Sequence, residues 1–131
     1  MEEFLVYSEY IKPFWAPPSW LFGSVWTILY AIIAVSFGVV IYKVAKKQIP
    51  RMVALPFILN LIFNFAFTPI QFGLKNNLLA SLDVVLVFVT LIWALIVIWP
   101  RMRWVVFANI PYVLWVMFAT VLQITITYLN R

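Results

Sequence analysis

No cysteine and no histidine occur among the 131 residues. These two absences remove zinc sites, thiol nucleophiles, imidazole acid–base chemistry and the common axial ligands of haem. No metal site is expected, and no cofactor. Charge is also scarce: 10% of residues are Asp, Glu, Lys or Arg, against roughly a quarter in a soluble domain. The first dozen residues, MEEFLVYSEYIK, are acidic and too short in apolar content for a signal peptide or a spanning helix. Membrane insertion therefore falls to internal segments.

What fills the chain is hydrocarbon. Apolar residues make up 66% and mean hydropathy is +1.07, so residues 1–131 read as one integral membrane domain in a lipid bilayer. Charges fall in short breaks between apolar runs of about twenty residues. The runs predict transmembrane helices at about 19–42, 53–72, 78–99 and 104–129, a four-helix, all-α, up-and-down polytopic bundle. Segments 43–51 and 101–103 carry six Lys or Arg, whereas the opposite side carries Lys12, Lys75, Arg131, Glu2, Glu3 and Glu9. The positive-inside rule then puts both termini away from the cytoplasm, in a membrane the sequence does not specify. This topology accounts for the net charge of +5, and no basic face suited to nucleic acid is present.

The stretch Lys12–Tyr30, KPFWAPPSWLFGSVWTILY, runs straight into the first apolar segment. Its prolines exclude regular helix, so residues 1–18 read as an arm and covering loop. Trp15, Pro17, Pro18 and Trp20 form that cover, while Trp26 and Tyr30 share a helix face. In the second run Asn60, Asn64, Thr68 and Gln71 form one polar stripe. Such a stripe is costly in lipid unless it meets protein or a cavity, and bridging of neighbouring helices competes evenly with a ligand-facing role. Asp83 stands alone near the top of the third run. A hydrogen bond to a Tyr, Asn or Trp on another helix is the ordinary outcome for it, and a proton-relay role the rarer one. Pro111 is expected to kink the last helix or delay its regular start. Tyr112, Trp115, Ala119 and Gln123 share a face of it. Trp26, Tyr30, Asn60, Asn64, Tyr112 and Trp115 together suit one concave site for a flat, mostly apolar ligand. Ordinary packing and aromatic belts are the competing explanation.

These segments resemble the TspO/MBR family, the tryptophan-rich sensory proteins related to the translocator protein and peripheral benzodiazepine receptor. KPFWAPPSW, VWTILY, NFAFTPIQFG, ASLDVVLV and PYVLWVMFAT carry the resemblance, in the family's order, from Lys12 to about Arg131. It implies binding of porphyrins such as protoporphyrin IX, with sterols and benzodiazepine-like drugs as further ligands in some members. By matched position Trp26, Asn64, Trp115, Phe118 and Ala119 would line the pocket, beneath Trp15, Pro17, Pro18 and Trp20. Light- and oxygen-dependent porphyrin degradation, transport and an accessory-subunit role are the alternatives the family suggests, and a homodimer is a possible assembly. The family has five membrane helices, and its first has only eleven residues to occupy before Lys12. The chain is thus expected to be a four-helix form, or one whose start lies upstream. Gln123 stands where the family commonly has asparagine, Thr127 where tryptophan is common, and Ile124 where a sterol-associated tyrosine falls. Sterol specificity is not expected.

Overall fold

The computed structural model describes residues 15–16, 19–68, 70 and 76–130, and the account below concerns these. They form five helices: α1 (Ser19–Ala45), α2 (Arg51–Thr68), α3 (Asn77–Ile98), α4 (Arg103–Ala108) and α5 (Ile110–Leu129). Gly23–Ala45, Asn77–Ile98 and Ile110–Leu129 are long and apolar enough to cross a membrane, and α2 is a shorter apolar helix. At ~1.5 Å per residue, the 18 residues of α2 reach about 27 Å, close to a hydrocarbon thickness of ~30 Å. The protein is an integral, multi-pass, all-helical membrane protein.

Each helix buries one stripe and leaves the rest to lipid. On α1 the stripe is Leu29, Ile33, Ser36, Phe37 and Val40, and on α2 it is Val53, Phe57, Asn60 and Asn64, both at the three- and four-residue spacing that puts side chains over one another. The third helix is central, with its larger interfaces against α2 and α5. Ala80, Ser81 and Ala94 are buried there, and such small residues let neighbouring backbones approach closely. On α1, Ala34 and Gly38 face outward, and among the described residues nothing lies within 4 Å of where a Gly38 Cβ would stand.

Three local features depart from simple periodicity. The first helix ends at Ala45, beyond the expected 42, in a Schellman turn: the Gln48 amide donates to the Lys43 carbonyl at 2.9 Å and the Lys47 amide to that of Val44 at 3.0 Å. Lys47 occupies the left-handed position at φ 61°, where glycine is the residue without a steric cost. The second helix begins at Arg51, so Pro56 lies inside it and not in its first turn. The last predicted helix is divided. Asn109, at φ −96° and ψ 7°, separates α4 from α5, and Pro111 then falls in the first turn of α5, where its missing N–H is harmless.

The loops at 46–50 and 99–102 lie at the same end of the bundle, where Ile49 and Met102 enter one apolar core with Val40, Val53, Ile98 and Val105. Arg103 lies over the Trp99 ring at 5.0 Å and Lys46 over Tyr42 at 5.6 Å. Aromatic side chains thus hold cations at this end of the membrane span.

Candidate functional site

Asn60, Asn64, Thr90 and Tyr112, all buried, belong to one ordered chain of polar groups. Asn60 Nδ2 donates to the Val87 carbonyl at 2.9 Å and to Thr90 Oγ1 at 3.3 Å. The Tyr112 hydroxyl donates to Asn60 Oδ1 at 2.9 Å. Asn64 Nδ2 donates to the Tyr112 hydroxyl at 2.7 Å, and the Tyr30 hydroxyl donates to Asn64 Oδ1 at 2.9 Å. One continuous run of hydrogen bonds therefore crosses α3, α2, α5 and α1. Asn60 and Tyr112 have no exposed surface, while Tyr30 is 40% exposed. The chain starts in the core and reaches the outside at one residue.

The ring of Tyr30 belongs to an aromatic wall. Trp26 lies 5.3 Å from it and Phe65 6.1 Å, and Trp26 also meets Tyr112 edge-on at 6.3 Å. Phe37 and Phe57 close the wall from behind with a T-shaped contact at 4.8 Å. A second aromatic group lies on α5, where Trp115 and Phe118 are 5.6 Å apart and Trp15 approaches Phe118 edge-on at 5.7 Å. Ala16 and Phe118 pack on Leu122 and Ile126. Two residues of the arm are thereby seated on α5. Trp115 also packs against the main core, which links the two groups.

Of the expected site residues, Trp26, Tyr30, Asn60, Asn64 and Tyr112 are brought together. Trp115 and Phe118 join Trp15 in the neighbouring group, and Ala119 is half-buried one residue further along α5. Asn60 and Tyr112 differ from expectation as ligand contacts. Both are wholly buried with their polar atoms engaged, so they stand behind the wall and orient what is in front of it. Asn64, 6% exposed, has the same place. Trp20 is 67% exposed. Pro17, Pro18 and Gln71, and the side chain of Thr68, lie outside the described residues.

Asp83 also departs from expectation. It is 5% exposed, and its Oδ2 has no hydrogen-bond partner among the described residues. The hydroxyls of Tyr30 and Tyr112 donate to Asn64 and Asn60.

Two further polar clasps escaped periodicity. Asn109 Nδ2 donates to Ser36 Oγ at 2.9 Å and to the Val105 carbonyl at 2.8 Å, which pins the α4–α5 break to α1. At the other end Thr127 Oγ1 donates to the Asn77 carbonyl at 3.0 Å and pairs with Ser81 Oγ at 2.7 Å, while Gln123 Nε2 donates to Thr127 Oγ1 at 3.2 Å. Gln123 and Thr127, which stand where the resemblance leads one to expect asparagine and tryptophan, thus fasten α5 to the start of α3. Among the described residues no group of three acidic, histidine or cysteine side chains could hold a metal ion.

A family model described as the TspO/MBR family matches residues 2–129. The chain is 38% identical over 84 residues to the Tryptophan-rich protein TspO of Bacillus cereus, covering 64% of this chain and 54% of that protein. It is 36% identical over 124 residues to the Uncharacterized membrane protein YtaB of Bacillus subtilis, covering 95% of this chain and 79% of that one. To the Tryptophan-rich protein TspO of Archaeoglobus fulgidus it is 33% identical over 95 residues, or 71% of this chain and 60% of the other. The match spans little more than half the length of the first of these relatives.

Proposed function

The chain belongs to the TspO/MBR family, and from that premise we propose that it is a membrane receptor or sensor for flat, mostly apolar ligands, with porphyrins such as protoporphyrin IX the foremost candidates. The observation that carries the reading is the aromatic wall of Trp26 and Tyr30, backed by a fully engaged amide and phenol chain. Aromatic faces supply area for a planar ligand, and the polar backing fixes their orientation, so little ordering remains to be done on binding. Trp115, Phe118 and Ala119 extend the surface along α5. The Trp15–Phe118 contact supports a covering role for the arm. Both termini face away from the cytoplasm in this reading, supported by the six Lys or Arg in the segments 43–51 and 101–103.

The test is intrinsic fluorescence. Protoporphyrin IX should quench tryptophan emission saturably in purified protein, and Trp26→Phe combined with Asn64→Ala should weaken the binding. Linear, non-saturable quenching in both proteins would end this reading.

A further inference from the structure

We propose that Tyr30 is a specificity-determining residue whose oxygen reads a hydrogen-bond donor, an N–H or O–H, on the ligand. The inference rests on the ligand reading above and follows from the direction of the buried chain. The Val87 carbonyl can only accept, so Asn60 must turn Nδ2 toward it. Asn60 Oδ1 then faces Tyr112, whose single hydroxyl proton is committed to it at 2.9 Å. Tyr112 is left with lone pairs on its other side, so Asn64 must present Nδ2 at 2.7 Å. Asn64 Oδ1 therefore faces Tyr30 and takes that hydroxyl's proton at 2.9 Å.

Every orientation is thus dictated by one backbone carbonyl in the core. Turning any amide over would set acceptor against acceptor in a buried site, at a cost of roughly 1–3 kcal/mol. The consequence appears at the half-exposed end. Tyr30, whose hydroxyl in water gives and takes hydrogen bonds alike, has its proton held inward and offers only lone pairs to anything lying against the wall. A ligand donor placed there gains a bond, whereas a ligand acceptor meets another acceptor. The Trp26 indole stands in the same wall as a donor. The residue is therefore identified by a change in preference between variants, not by the preference alone.

Carbazole and dibenzofuran are suitable probes, both flat, apolar and nearly isosteric, differing in an N–H donor against an oxygen acceptor. Their affinities are measured by saturable tryptophan quenching in lipid nanodiscs and expressed relative to lipid partitioning. Carbazole is expected to bind roughly three- to tenfold more tightly than dibenzofuran, the range of one neutral hydrogen bond. Tyr30→Phe should bring the ratio to about one, because the ring still covers Asn64 but carries no acceptor. Tyr112→Phe should do the same from a position with no exposed surface: without the Tyr112 hydroxyl the Asn64 amide can turn, and Tyr30 recovers its proton. Retained dibenzofuran binding in Tyr112→Phe shows that the protein is folded. A ratio near one in the unaltered protein, or a ratio unchanged in both variants while binding stays saturable, overturns the inference alone. Absence of saturable binding by either probe and by protoporphyrin IX overturns the ligand reading on which it rests.

Discussion

Removing Asn60 should carry a large cost. It donates two hydrogen bonds, to Val87 and Thr90, and accepts one from Tyr112. Interhelical hydrogen bonds in membrane proteins average ~0.6 kcal/mol and reach ~1.7, so Asn60→Leu should lose about 2–4 kcal/mol, including the cost of leaving the Tyr112 hydroxyl without an acceptor. Tyr112→Phe removes the bond to Asn60 and the one from Asn64, and should lose about 1–3 kcal/mol. The two share one bond, and each change alone strands the other partner. The double variant should therefore be less destabilised than the sum, by about 1–2 kcal/mol. Reversible unfolding in mixed micelles, followed by tryptophan emission, measures all four corners of the cycle. Additivity within about 0.5 kcal/mol would mean that the two side chains do not interact, and the directional chain would lose its middle link.

Other outcomes follow from single features. Asp83→Leu should raise the unfolding free energy by about 1–3 kcal/mol, because it replaces a buried, unpartnered oxygen with hydrocarbon; a loss of stability would reveal a partner for the carboxylate. Lys47→Gly should stabilise by about 0.5–1 kcal/mol by relieving the left-handed residue of the Schellman turn, read as an upward shift of the thermal midpoint. Thr127→Val should cost about 1 kcal/mol and speed amide exchange at residues 77–81, where its hydroxyl holds the start of α3; unchanged exchange there would argue that the clasp is idle.

The membrane class and the all-helical bundle were legible because apolar run length answers directly to bilayer thickness. Asn60 and Asn64 were legible as a stripe, and Trp26 and Tyr30 as a face, because both are matters of spacing within one helix. What spacing cannot give is the register between helices. Thr90 entered the chain, and Ser36 met Asn109, only because α3 and α5 sit where they do against α2 and α1. The same blindness made Asn60 and Tyr112 look like ligand contacts, since a polar stripe on a helix does not say how deep it lies. Asp83 was visible as an anomaly, but nothing local says that the hydroxyls of Tyr30 and Tyr112 are already engaged by Asn64 and Asn60. Nor does composition foretell a left-handed lysine at position 47, where a glycine would have announced the turn.

The central place of α3 also bears on how the protein is made. The second helix carries Pro56 and two asparagines whose partners lie largely on later segments: Asn60 waits for Val87 and Thr90, and both amides wait for Tyr112. As the chain leaves the ribosome, α2 meets α1 first, with the smaller interface and one bond from Tyr30. Its amides are costly in lipid until α3 arrives. Insertion of α2 is thereby tied to synthesis of α3, and the pair should enter the bilayer as a helical hairpin. A translocon assay would see this as poor integration of residues 51–68 alone and efficient integration of 51–98, and equal integration of the two would show that α2 needs no help.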